Sequence, residues 1–386
     1  MRGRDLVVFS LEAWDDVWRR NQYLIDGLLR RDPALRVLFV EPPNDLLHSA
    51  LSGRGIRRGR GLRTADGYDG RLSLFQPDKL FPRVAGPAAD AALRRAARRA
   101  MRALGMTSPV LWVNDPGWAK LVAHTGLPAV YDMTDDWLAA DRPARERRRI
   151  VANEAILMNL CAAVVVCSTG LERTRGSERD VVLIPNAVDT ARYRTPLPRP
   201  ADLPAGPTAV YVGTLHEDRL DVDLVVRTAE AIAAGGSSIV LVGPDALAPH
   251  NTERLASHPD VAVLGPRAFR DVPAYLQHAT ALIVPHVVDA FTDSLDPIKL
   301  YEYRAVGRPI VSTPVAGFRE LEGEGIVLAS QADFPLAVAA TLRENAPTIA
   351  VDDVPDWSHR VEQYADVLEP LFADAASSAS NVGQRR

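Results

Sequence analysis

The chain has 386 residues, which exceeds the ~250–300 at which one hydrophobic core stops growing, so two domains are expected. It is 47% hydrophobic and 24% charged, as globular chains are, and its net charge of −4 gives no support to a nucleic-acid partner. Two cysteines, Cys161 and Cys167, are too few for a disulfide framework; both sit in apolar surroundings and read as buried thiols.

The N-terminus runs straight into the strand-like LVVFS, without an apolar leader, and no apolar run approaches the ~20 residues of a membrane span. The expectation is a cytoplasmic protein, with peripheral contact at the inner face of a membrane left open. In chain order, the first half predicts strands at Leu6–Ser10, Val37–Glu41, Val110–Asn114, Ala129–Asp132, Ala163–Ser168 and Val181–Pro185. The second half predicts them at Thr208–Gly213, Ser238–Gly243, Val261–Gly265, Ala281–Pro285, Pro309–Thr313 and Gly325–Leu328. These runs are rich in Val, Ile and Leu without strict alternation, the pattern of parallel strands covered on both faces. Helical patterning fills Asp16–Arg31, Ala88–Leu104, Glu146–Leu160, Asp221–Ala233 and Asp271–Gln277. Strand–helix alternation throughout predicts an α/β chain with parallel sheets.

Residues Thr195–Pro207, TPLPRPADLPAGP, read as a stiff linker. The expected division is an N-terminal domain over 1–194, the linker over 195–207 and a C-terminal domain over 208–356. A last amphipathic helix is expected over 357–374. Gly53–Arg71, rich in Gly and Arg, reads as a loop: a solvated surface, a mobile lid, or a contact to an anionic acceptor or lipid. The tail 375–386 reads as disordered.

The chemistry-bearing stretch is Phe291–Thr313, FTDSLDPIKLYEYRAVGRPIVST. Asp296-Pro297 reads as an N-cap with proline at the first helical position. Thr292, Asp293 and Ser294 lie in the loop before it. Lys299 falls in the first turn, where a cation opposes the helix dipole unless an anion is bound there. Glu302 lies one turn on, in reach of a ligand at the helix end. The plain alternative is an i,i+3 ion pair between Lys299 and Glu302.

Residues 296–313 resemble the donor-site signature of GT-B glycosyltransferases of the family-four clan, most closely the teichuronic-acid-type subgroup. Further pieces similar to that subgroup follow in order: WRRNQYL (Trp18–Leu24), VYDMTDDW (Val130–Trp137), IPNAVD (Ile184–Asp189), YVGTL (Tyr211–Leu215), LVGP (Leu241–Pro244) and LGPR (Leu264–Arg267). The resemblance covers nearly the whole chain. It implies two Rossmann-like doubly wound parallel-sheet domains facing a cleft, with the last helix crossing back to the N-terminal domain. It implies that Glu302 holds the ribose hydroxyls of a nucleotide sugar. Lys299 and the backbone at Ser294–Leu295 would meet the diphosphate. Gly213 and Thr214 would let the backbone approach the phosphates, and the segment ending in Arg267 would line the base pocket. The sequence departs from the family in three places. Ser294 stands where many members carry a second glutamate for the donor sugar. HEDRLD (His216–Asp221) replaces a frequent Lys-Gly, with Arg219 as the substitute cation. An acidic, aromatic Leu11–Asp16 replaces a Gly-Gly loop.

On the acceptor side, Asp132, Asp135 and Asp136 cluster at a strand end and are the candidate general base; the alternative is that Asp135 or Asp136 caps a helix starting at Trp137. Asp15, Asp16 and Arg20 are further acceptor-side candidates, or else a solvated helix start. His216 reads evenly as a donor contact or a structural residue, and His286 as structural. Nothing has metal-ligand spacing, and GT-B enzymes generally work without one, so neither metal nor cofactor is expected. The expected function is glycosyl transfer from a UDP-sugar (a GDP- or dTDP-sugar less so) to a small molecule or lipid-linked glycan. A sugar-nucleotide epimerase and a non-catalytic nucleotide-sugar-binding protein are the alternatives. Donor sugar, acceptor, stereochemistry and oligomeric state are not legible.

Overall fold

The protein is described by a computed structural model, which describes residues 4–45, 58–79, 86–136, 143–289, 292–344, 348–349 and 351–383. The chain forms two compact units, Met1–Pro185 with Ser358–Arg386, and Asn186–Trp357.

The first unit is built on an eight-stranded sheet. Its strands are β1 (Arg4–Phe9), β2 (Leu35–Val40), β3 (Gly61–Thr64), β4 (Leu72–Gln76), β5 (Val110–Val113), β6 (Ala129–Met133), β7 (Ala163–Val166) and β8 (Val182–Leu183). The spatial order is β8-β7-β6-β5-β1-β2-β4-β3, parallel except for the β3–β4 pair. The strand order reverses between β1 and β5, whose register pairs Leu6 with Val110 and Phe9 with Val113. Val7, Leu38, Leu111 and Val164 are almost wholly buried, because helices cover both faces and the apolar runs have no solvent side.

The second unit holds a six-stranded parallel sheet: β9 (Thr208–Val212), β10 (Ser238–Val242), β11 (Val261–Gly265), β12 (Ala281–Val284), β13 (Ile310–Ser312) and β14 (Ile326–Leu328). Its order is β11-β10-β9-β12-β13-β14, the doubly wound arrangement in which the first and fourth strands adjoin at the reversal.

All twelve expected strands are present, and four expectations about the remaining segments change. The proline-rich 195–207 lies inside the second unit, where Leu203 is 5% exposed in the core, so the units divide at Pro185 rather than beyond 194. The IPNAVD segment is held there by Asn186, whose amide and side chain both bond Asp296. Of the Gly/Arg-rich segment, residues 53–57 lie outside the described residues; the rest forms β3 and a turn, with Tyr68 Oη donating to Asp26. Its Arg60 and Arg63 pair with the buried Glu41, so these two cations are internally matched. The last helix runs from Trp357 to Gly383, past the expected end at 374, and Ser358 onward belongs to the first unit. There Tyr364 stacks on Trp112 with ring centroids 4.3 Å apart, a large apolar contact that fixes the helix on the sheet.

Candidate functional site

The second unit gathers its polar chemistry at the reversal between β9 and β12. Helix Ile298–Val306 starts beside it, with Pro297 at the cap position. Asp296 does not cap the helix. Its carboxylate accepts from Tyr301 Oη (2.7 Å) and Asn186 N (2.5 Å), so it clamps the helix start to a distant segment. Tyr303 Oη accepts the Val212 amide at 2.9 Å, which ties the same helix to the end of β9.

Lys299 reaches from the first turn to the carboxyl ends of both strands. Its ammonium donates to Tyr211 Oη (2.8 Å), lies 3.3 Å from His286 Nε2 and sits 4.0 Å above the Tyr211 ring. It does not pair with Glu302, whose Oε1 accepts from Tyr193 Oη at 2.5 Å. Burial brings the lysine down to about 7, Arg219 pushes the same way, and Glu302 opposes both. His286 is 4% exposed, and burial with the Lys299 and Arg219 charges holds it neutral, well below the usual imidazole range. Burial raises Glu302, against the Tyr193 hydrogen bond and Lys299.

Two glycines make room for this group. Gly213 has φ +146°, and a Cβ there would stand 3.1 Å from Lys299 Nζ; at Gly243 (φ +149°) it would stand 2.1 Å from the Gly213 carbonyl. Both are therefore close-approach positions, not only turns. Thr214 is exposed beside them. Ser294 is buried in the 3-10 turn Thr292–Ser294, and the Leu295 amide bonds back to Thr292 O. Arg219 is brought alongside by its carbonyl, which accepts from Val287 N at 2.8 Å. His216 is exposed and faces Asp218 at 2.6 Å. Arg267 is held by Asp202, Tyr275 and the Leu264 carbonyl, so its guanidinium serves the local fold rather than an open pocket.

The first unit treats its carboxylates differently. Asp132 is fully buried and accepts from Trp112 Nε1 (3.2 Å), Asn114 Nδ2 (3.1 Å) and Tyr364 Oη (2.5 Å), with Arg20 at 3.4 Å. Arg20 also donates to the Ile184 carbonyl. These two candidates are thus the centre of a structural lock: a carboxylate under four donors has no free lone pair to take a proton from an acceptor. Asp136 pairs with Arg175, itself paired with Glu154. Asp135 accepts from Thr134 Oγ1. The helix expected at Trp137 lies outside the described residues. Asp15 accepts the Val17 amide and faces Arg19 at 3.5 Å, and Asp16 is exposed.

Sequence reasoning missed Glu12. It follows β1, its amide donates to Ser10 Oγ, and its carboxylate lies 3.7 Å from Arg19 Nε. Burial raises it to about 7; Arg19 opposes, and Asp135 and Asp15 add to the rise. Tyr193 and Tyr211 were missed too. Only their tertiary placement, more than 80 residues from their partners in the chain, makes them site residues. Among the described residues no group of three or more His, Cys, Asp or Glu is arranged to hold a metal, and no helix is long and apolar enough to cross a membrane.

Residues 206–345 match the family model described as Glycosyl transferases group 1, which spans the whole β9–β14 sheet. Among curated proteins, the chain is 22% identical over 241 residues to TuaH of Bacillus subtilis (strain 168), described as a candidate teichuronic acid biosynthesis glycosyltransferase. The match takes in 58% of this chain and 60% of that relative. Among solved structures it is similar to a sucrose-phosphate synthase from Thermosynechococcus elongatus (TM-score 0.64, 17% identity, 99% and 100% of the two chains). It is also similar to Anabaena Alr3699/HepE in complex with UDP and glucose (TM-score 0.65, 14% identity, 95% and 100%). The fold is the two-domain, Rossmann-like GT-B fold.

Proposed function

We propose that this GT-B chain, with its group 1 glycosyltransferase domain at 206–345, transfers a sugar from a nucleoside diphosphate donor, UDP-sugar foremost, to an acceptor hydroxyl or amine. The observation that carries the reading is Lys299. It is a half-buried amine, with no carboxylate within ion-pair distance among the described residues, at the ends of β9 and β12 where doubly wound sheets bind ligands. With burial holding this amine at about 7, an anion beside it favours the protonated form, and a diphosphate supplies one as its leaving-group charge develops. Gly213 and Gly243 leave the backbone bare for phosphate oxygens. Glu302, one turn further on, is suited to accept two ribose hydroxyls. The UDP and glucose of the Anabaena structure and the teichuronic acid role of the Bacillus relative support the donor class.

On the acceptor side we assign the proton-accepting role to Glu12, with Asp135 beside it, in place of Asp132. The reaction is read as metal-independent: Lys299 and Arg219 supply the positive charge. The chain is read as cytoplasmic, with the acceptor a small molecule or a lipid-linked glycan. Incubation with UDP-glucose, UDP-glucuronate and UDP-N-acetylglucosamine, followed by measurement of free UDP, tests the reading. At least one donor should be consumed, slowly by hydrolysis without acceptor. Tight UDP binding with no donor consumed, with or without acceptors, would leave only a binding protein.

A further inference from the structure

The helix Gly86–Ala103 of the first unit has two faces of opposite chemistry. Leu93, Ala97, Ala100 and Met101 recur at helical spacing and pack into the core cluster on one side of the eight-stranded sheet. Arg95, Arg98, Arg99 and Arg102 stand at i, i+3, i+4 and i+7, so one stripe carries all four, and all four are exposed. They line an open groove of about 220 Å³.

Nothing within the helix answers this charge. Its one carboxylate is Asp90, which is taken by Arg149 of the helix Ala144–Leu160 at 3.0 Å. None of the four arginines has a carboxylate at ion-pair distance among the described residues, and Arg102 Nε turns back to the Arg98 carbonyl at 3.3 Å. Like charges at these spacings repel across the turn and weaken a helix. A face that is merely solvated mixes both signs; this one does not, in a chain whose net charge is −4. Arg60 and Arg63 of the same unit differ, since Glu41 already holds them.

The stripe is straight, about 10 Å long at ~1.5 Å per residue. The helix has no aromatic residue, so it offers nothing to stack on a base and no ring to sink among acyl chains. Recognition there rests on charge. A single free phosphate meets one guanidinium, whereas a surface of laterally mobile headgroups can set a phosphate against each. We propose that this stripe docks the first unit on an anionic phospholipid surface. The docking is independent of the transfer reading, since it needs neither donor nor acceptor.

Flotation of the full chain with phosphatidylcholine vesicles, with and without phosphatidylglycerol, tests it. The chain should bind only where phosphatidylglycerol is present. Binding should be lost as salt rises from about 0.1 to about 1 M, where the screening length falls from about 10 to about 3 Å. Arg98→Gln with Arg99→Gln should weaken partitioning roughly 25-fold, at about fivefold per arginine, with the melting temperature unchanged because both side chains are exposed. The same charge removed from exposed positions of the second unit, Arg227→Gln with Arg254→Gln, should leave binding nearly unchanged. No binding to phosphatidylglycerol vesicles, equal binding to neutral ones, or stripe variants that bind as the native chain does would overturn the proposal. Capture by polyglutamate or single-stranded DNA without vesicle binding would give the stripe to another polyanion and overturn it equally.

Discussion

The two units place carboxylates and cations at the carboxyl ends of their parallel strands and use them in opposite ways. At the reversal in the second sheet, Lys299 has no carboxylate at ion-pair distance among the described residues and lies between a tyrosine and a neutral histidine. At the corresponding end of the first sheet, Asp132 and Arg20 saturate one another with Trp112, Asn114 and Tyr364. Position in the fold therefore does not by itself make a residue reactive. What separates the two is whether the group's partners are already supplied from within. The first unit uses its most buried carboxylate to fix the last helix, and leaves Glu12, facing Arg19 with Asp135 and Asp15 nearby, only partly matched.

The largest effect should come from breaking the lock. Asp132→Ala strands the Arg20 charge and should cost about 3–5 kcal/mol, a fall in melting temperature of roughly 10 °C or more. Denaturant unfolding checks it; full stability with transfer abolished would return Asp132 to the role of base. Glu12→Gln comes next. It should lower transfer about 100-fold with UDP affinity kept, and remove the rise in rate with pH that Glu12 ionisation near 7 gives the native chain. A variant that retains that limb would put the base elsewhere.

Lys299 predicts a smaller and oppositely signed pH effect. Its free-state value of about 7 means that above this pH the ammonium must regain a proton to meet a diphosphate. UDP affinity should fall up to roughly tenfold per pH unit above 7, with proton uptake measurable in buffers of different ionisation enthalpy. Lys299→Met should bind UDP more weakly and lose that slope. His216→Ala should change stability by no more than about 0.5 kcal/mol, since the ring is exposed and faces only Asp218.

How legible all this was depended on range along the chain. Strands buried on both faces write themselves as apolar runs, so all twelve could be placed, and the Lys299–Glu302 spacing sits on a single helix. The strand Leu72–Gln76 was missed because it follows a Gly/Arg-rich segment with no apolar pattern of its own. Asp132 was misread because its partners come from Arg20, Trp112 and Tyr364, up to 232 residues away. Asp296 looked like a cap for the same reason: Asn186 had already claimed its carboxylate, from 110 residues upstream. Glu12 carried no signal at all, since neither its burial nor the approach of Asp135 is a property of the local sequence.

The most direct test of the donor site is a calorimetric titration of UDP into the native chain and into Glu302→Ala. The carboxylate is expected to hold two ribose hydroxyls, each such charged hydrogen bond being worth about 1.5–3 kcal/mol, so affinity should fall at least roughly 100-fold with the fold unchanged. Equal affinity in the two proteins would contradict the assignment of Glu302 to the nucleotide.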